Sequence, residues 1–257
     1  MREDNSVTAA VLVIGDEILS GRTQDTNVAT IAKLLGALGI DLSEVRIVPD
    51  KEEEIAAALN ALRARYTYVL TTGGIGPTHD DITADAVGKA FGLPVEHHPE
   101  AMALLEKRYA PGEFNEARQR MARTPRGASL VKNPISTAPG FQIGNVFVLA
   151  GVPKIMQAML EDVAPRLNRG IPLTVKSITI GLPEGQIAGP LGAIQARYPA
   201  LSIGSYPYFA WGAGPSRATA GTTLVVRGRD PGEVDKAASE IEDMARAYGA
   251  EPQPSPA

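Results

Sequence analysis

The sequence predicts an α/β fold: a doubly wound, mostly parallel sheet followed by a second, smaller α+β domain. Three observations carry this. Ala9 to Ile14 and Tyr66 to Thr72 are continuous apolar or β-prone runs that stop at glycine, as strands covered on both faces do. Helical periodicity alternates with them, Ile31, Leu34, Leu35 and Leu38 being the clearest set. A polar break at 168–172 then separates this region from one in which the element order changes.

In order, the first unit reads as strand 9–14, helix 28–38, strand 45–48, helix 55–62, strand 66–72 and helix 83–91. A helical region punctuated by Pro and Gly spans 99–123, and strands follow at 129–132 and 146–149. Pro153 opens an amphipathic helix through Leu167, since the first-turn amide that proline lacks has no intrahelical partner. Asp50 and Glu53 have the spacing of a capping box. The expected boundaries are 1–168 for the α/β domain, 172–249 for a split βαβ-like domain, and 250–257 for a Pro-rich tail expected to be disordered.

The chain has 257 residues, a net charge of −4 and no Cys. Lacking a Lys/Arg run, it is not expected to bind nucleic acid, because neutralising phosphates needs clustered cations. Thiolate metal sites and disulfides are excluded, which makes hard cations held by oxygen the default. The run 9–14 is far below the roughly 20 residues needed to cross a bilayer, so no membrane segment is expected and the location is read as cytoplasmic.

The most informative stretch is Thr71-Thr72-Gly73-Gly74-Ile75-Gly76-Pro77-Thr78-His79-Asp80-Asp81-Ile82-Thr83, which leaves a strand and enters a helix. Glycines expose amides to a ligand and the helix adds its positive end, which together suit a phosphate or pyrophosphate. The spacing is neither a Walker loop nor the dinucleotide G-x-G-x-x-G. Asp80 and Asp81 beside an anion cradle repel it and each other unless a divalent cation lies among them. The bland alternative is that Asp81 or Thr83 caps the helix.

Loops after different strands of such a sheet meet at one edge, which gathers Asp16, Ser20, Asn27 and Asp50 toward the same crevice, although each also suits a turn or cap. Gly140 and Gly151 lie in two further turns, the second at a strand-to-helix junction where the ring of a ligand fits. His79 falls inside the glycine/aspartate loop, within reach of a phosphate, whereas His97 and His98 read as surface residues. The aromatic segment 204–212 reads as packing against the first domain rather than covering a ligand.

Gly15-Asp16-Glu17-Ile18-Leu19-Ser20-Gly21, Asn27, the 73–83 loop and Ala150-Gly151-Val152-Pro153 together resemble the molybdopterin-binding domain superfamily over residues 8 to 168. Within it they are most similar to the amino-terminal domain of CinA proteins and the matching domain of eukaryotic FAD synthases. The Gly-Ser-Tyr-Pro turn at 204–207 is similar to the segment that follows in the FAD synthase branch. The resemblance implies Asp50 and Asp81 as functional aspartates, and metal-assisted hydrolysis of a nucleotide pyrophosphate such as ADP-ribose or FAD. It equally covers molybdopterin adenylyltransfer in molybdenum cofactor synthesis, and a third reading is a non-catalytic pterin- or nucleotide-binding module.

Two departures weaken the adenylyltransferase reading. Asp80 stands where those enzymes carry Arg, and Val152 where relatives carry Ser or Asn. No amidohydrolase or adenylyl-transferring domain is read in these residues, so neither amide hydrolysis nor FAD synthesis is expected of them. The candidate set is Asp81 and Asp50 for catalysis; Gly73, Gly74, Ile75, Gly76, Thr78, Asp16, Ser20, Asn27 and Gly151 for the ligand; and Asp80 with Asp81 for a metal. Magnesium is the expected cofactor, with cobalt or manganese as alternatives, the partner is a nucleotide or pterin phosphate, and a homodimer is expected.

Overall fold

The structure, a computed structural model, describes residues 7–211 and 218–255, and for 209–211 and 218–220 the backbone alone. It divides into two compact units, Met1–Gly170 and Ile171–Ala257.

The first unit runs β1 (Thr8–Ile14), α1 (Asp16–Leu19), α2 (Asn27–Ala37), β2 (Asp41–Val48), α3 (Glu52–Arg65), β3 (Tyr68–Thr72), α4 (Thr83–Phe91), β4 (Val95–His97), α5 (Pro99–Arg108) and α6 (Glu116–Gln119). It continues with β5 (Arg123–Pro125), β6 (Ser129–Val131), β7 (Gly140–Ile143), β8 (Val146–Leu149) and α7 (Pro153–Val163). The main sheet has the order β2-β1-β3-β8-β7-β6. Strands β2, β1, β3 and β8 are parallel, and β7 and β6 close the far edge antiparallel.

Helices cover both faces, as the continuous apolar run in β1 requires. Ala10, Leu12 and Ile14 pack with Ile55, Leu59 and Leu62 of α3 and Val87 of α4. Ala9, Val11 and Val13 point the other way, onto Ile31 and Leu35 of α2 and Met156 and Met159 of α7. The edge strand β2 is half solvated, with Val45 and Ile47 exposed, so its polar first half carries no apolar signal and the strand begins earlier than its sequence suggests.

Several expectations are corrected. The punctuated helical region 99–123 consists of α5, α6 and a 3-10 turn at Arg120–Ala122, and its last residue already belongs to β5, which pairs with β4. Gly140 lies in β7 rather than in a turn, because a Cβ there would strike the Val148 carbonyl of the neighbouring strand. The α3 N-cap is Lys51 without a side-chain cap, so the Asp50/Glu53 box does not form, and Glu53 pairs with Lys89 instead. Helix α7 ends at Val163 and passes into a 3-10 turn, Ala164–Arg166.

The second unit runs β9 (Thr174–Ile180), α8 (Glu184–Arg197), β10 (Ser202–Trp211), β11 (Ala218–Gly228), α9 (Pro231–Ala247) and β12 (Gln253–Ser255). Its sheet order is β10-β11-β9-β12, all antiparallel, which completes a split βαβ arrangement. The tail read as disordered supplies the fourth strand. Pro254 is tolerated there because β12 is an edge strand, where a missing N–H costs no ladder bond. Ile178, Ile180, Leu224 and Val226 form the core with Ile187 and Ile194 of α8 and Val234 and Ile241 of α9. In the aromatic segment, Tyr206 and Tyr208 are exposed and Tyr208 lies opposite Gly221 in the ladder. Gly212 lies outside the described residues.

Candidate functional site

The carboxyl ends of the parallel strands deliver their loops to one cleft of ≈ 550 Å³. Gly15 leaves β1, Asp50 leaves β2, the 73–82 loop leaves β3 and Gly151 leaves β8, and all of these reach the cleft wall. The strand ends are laced together: the Gly15 amide donates to the Val48 carbonyl at 3.2 Å and the Gly73 amide to the Leu149 carbonyl at 3.2 Å.

Local backbone demands explain the glycines. Gly73 and Gly74 have φ of +106° and +65°, and a Cβ on Gly73 would collide with the Ile14 carbonyl as the turn passes over the end of β1. Thr83, fully buried, fastens this turn, its hydroxyl donating to the Gly73 carbonyl at 2.9 Å and its amide to the Gly74 carbonyl at 3.1 Å. Thr83 is therefore a clip between loop and helix rather than a cap, and the N-cap of α4 is Ile82, with no side-chain cap.

Gly73 spends its amide on Leu149, which removes it from an anion cradle. The amides of Gly74, Ile75 and Gly76 have no protein partner among the described residues and are the donors left to a ligand. Asp81 folds back on its own loop. Its Oδ2 accepts from the Thr78 amide at 2.8 Å and from the Thr78 hydroxyl at 2.5 Å, and it stands 2.6 Å from where a Gly76 Cβ would be. Thr78 thus orients Asp81 and has neither donor free for a ligand.

Asp50 is tied across the cleft mouth by the Asp16 amide, which donates to its Oδ2 at 2.9 Å. Burial pushes the Asp50 carboxyl above its ordinary pKa, and repulsion from Asp16, Glu17 and Asp80 adds to this against the Asp16 hydrogen bond. Asp80 is exposed, and its carboxyl is held below the ordinary value by the Thr78 side chain, whose hydroxyl it shares with Asp81, and by its own backbone amide. The charged residues of the cleft wall are Glu17, Asp50, Asp80 and Asp81, all acidic.

Other expected residues are placed differently. Asp16 contributes its amide rather than its carboxylate, and the Ser20 hydroxyl donates to the Glu17 carbonyl at 3.3 Å. Asn27 is buried and its Nδ2 donates to the Gly151 carbonyl at 2.7 Å, while its Oδ1 is buried without a partner beside a smaller hollow of ≈ 60 Å³. His79 is almost fully solvated, 4.0 Å from Asp80. His97 is exposed, but His98 is not a plain surface residue, since its Nδ1 is buried and unpartnered.

Glu17, Thr23, Asn133 and Ser136 line the cleft without having been singled out in the sequence. Asn133 is buried, donating to Ser136 Oγ at 2.6 Å and the Ala138 carbonyl at 2.7 Å, and Thr137 in the same loop has φ +70°. The Asn-Pro at 133–134 signals a turn, but nothing local says that the turn reaches a ligand cleft.

Residues 10–169 match the family described as a probable molybdopterin binding domain. The chain belongs to that family. Residues 172–253 match the FAD synthase middle domain. A protein of Pyrobaculum calidifontis is 36% identical over 211 residues, covering 78% of this chain and 80% of that one. A CinA-like protein of Citrifermentans bemidjiense is 41% identical over 196 residues, 72% of this chain but 47% of its own length, so the chain spans about half of such CinA-like relatives. The crystal structure of CinA from Thermoplasma acidophilum, described as of unknown function, superposes with a TM-score of 0.60 at 34% identity, covering 63% of this chain and 98% of that one. Among the described residues, no helix of this molybdopterin-binding-domain protein is long and apolar enough to cross a membrane.

No group of three His, Asp or Glu among the described residues could hold a metal. Magnesium usually takes only one or two protein carboxylates and completes its shell with water and substrate phosphate.

Proposed function

We propose that the cleft binds and hydrolyses a nucleotide pyrophosphate of the ADP-ribose or FAD kind in a metal-dependent reaction. One observation carries this: three unpartnered amides, Gly74 to Gly76, share a cleft with Asp50, Asp80 and Asp81. The amides would hold nonbridging phosphate oxygens and stabilise the charge that grows on them. Asp80 and Asp81 are the residues that would hold the cation, and Thr78 fixes the direction in which Asp81 presents its free oxygen. When bound, a divalent metal supplies charge neutralisation and a more acidic water.

Asp50 suits the proton transfer, because a carboxyl raised above its ordinary pKa is a stronger base at neutral pH. Water oxygen would bond to phosphorus as the bridging P–O bond breaks, giving two phosphomonoesters, while Asp50 takes a proton from the water. The acidic wall favours hydrolysis over adenylyl transfer, since it gives an incoming anionic nucleophile no cationic landing place.

The test is a panel of ADP-ribose, FAD and diadenosine pyrophosphates with magnesium, manganese or cobalt, scored for released mononucleotide. Metal-dependent release, lost in Asp81→Ala, is the expected result. Adenylylated pterin from ATP with no pyrophosphate cleavage, or tight binding without turnover under every cation, would overturn it in favour of a transferase or a binding module.

A further inference from the structure

The geometry points to Arg120 as a phosphate-binding residue that acts from behind the glycine turn; this deepens the pyrophosphate reading and rests on it. The ligand class is a nucleoside pyrophosphate, which needs positive charge, and the main cleft wall offers four carboxylates and no Lys, Arg or His. On the other side of the Gly74–Gly76 turn lies a narrow hollow of ≈ 20 Å³, lined by the turn, Asp81 and Arg120. Met121 and Asp81 border both spaces.

Arg120 is set apart by what it lacks. Among the described residues its side chain makes no hydrogen bond or ion pair, and its Nε is buried without a partner. Its neighbours are engaged: Arg123 forks onto Asp85 at 3.0 and 2.6 Å, and Arg118 pairs with Glu113. A buried guanidinium N–H without an acceptor is unfavourable unless an acceptor arrives, and the planar fork matches phosphate oxygens.

The backbone under Arg120 is well held. The Ala122 carbonyl, at the end of the same 3-10 turn, accepts the His98 amide at 2.8 Å. Arg123 ties the next residue to Asp85 of α4, the helix whose first residue, Thr83, clips the glycine turn. The hollow is about the size of one water, too small for a phosphate, so the anion sits in the main cleft on the turn amides and the guanidinium reaches it past Gly76. The two sides then differ in role: carboxylates hold the cation on one flank and Arg120 supplies fixed charge on the other.

Titration calorimetry with inorganic pyrophosphate and magnesium tests this in the full chain, comparing wild type, Arg120→Ala, Arg120→Lys and Arg126→Ala. Arg126, paired with Glu96 on the surface, serves as a charge-matched control. Arg120→Ala should bind about tenfold or more weakly, Arg120→Lys should recover part of the loss, and Arg126→Ala should match wild type. The melting midpoint of Arg120→Ala should change little, because the truncation removes no hydrogen bond or ion pair of the side chain. Wild-type affinity in Arg120→Ala, or a weakened affinity accompanied by an equal drop in melting midpoint in both Arg120 variants, overturns the assignment to Arg120 while leaving the pyrophosphate reading intact. Absence of both pyrophosphate binding and dinucleotide cleavage in the wild type overturns both.

Discussion

The Asp16 amide donates to Asp50 Oδ2 at 2.9 Å, joining the exits of β1 and β2 and fixing a carboxylate that burial has made less acidic. The ionised form of Asp50 is disfavoured in the folded chain. That cost is absent where the group is protonated in both states, grows as pH rises from its ordinary value of 3.8, and is complete above the raised folded value. Asp50→Asn keeps an acceptor for Asp16 and removes the charge. Its melting midpoint should therefore exceed that of wild type at neutral pH and converge with it in acid, while pyrophosphate hydrolysis falls by roughly a hundredfold. A variant less stable than wild type at neutral pH contradicts the environment assigned to Asp50.

Thr83→Val tests the clip between loop and helix. The valine fills the same space but leaves the Gly73 carbonyl without its 2.9 Å donor in a fully buried place. Urea unfolding should show a loss of about 1–3 kcal/mol. An unchanged midpoint would mean that the turn is held by the sheet alone.

Two neighbouring glycines should separate folding from chemistry. Gly73→Ala places a Cβ against the Ile14 carbonyl at φ +106° and should cost about 3 kcal/mol or more, or prevent soluble expression. Gly76→Ala meets only the Asp81 carboxylate, at 2.6 Å, which can swing away. Its stability should change by less than about 1 kcal/mol while turnover drops at least about tenfold, read from unfolding curves and steady-state rates.

Deleting residues 251–257 removes β12 and bares the β9 edge. The second unit should lose about 1–2 kcal/mol and gain a tendency to associate through that edge, measurable by urea unfolding and light scattering. Full stability of the truncated chain would show that β12 contributes nothing to the sheet.

The central sheet was legible because β1 and β3 are buried on both faces, which writes uninterrupted apolar runs into the sequence. The short strands β4, β5 and β7 were not, since three or four residues of mixed polarity carry no period. β12 was hidden by its proline, which reads as a breaker except at an edge. The glycine loop and its aspartates were visible as a local pattern. The partnership of Asp50 with Asp16 was not, because it spans 34 residues and local spacing suggested a helix cap instead. Asn27 was found for its place at the cleft edge, but its buried bond to Gly151 spans 124 residues, and only the fold shows that it works as a clamp.

The most direct measurement is a crystal structure of the chain soaked with magnesium and a nonhydrolysable ADP-ribose analogue. The diphosphate should lie within about 3.2 Å of the Gly74, Ile75 and Gly76 nitrogens, with the cation between it and Asp80 or Asp81. An analogue bound away from that turn, or a cation held without either aspartate, would contradict the assignment.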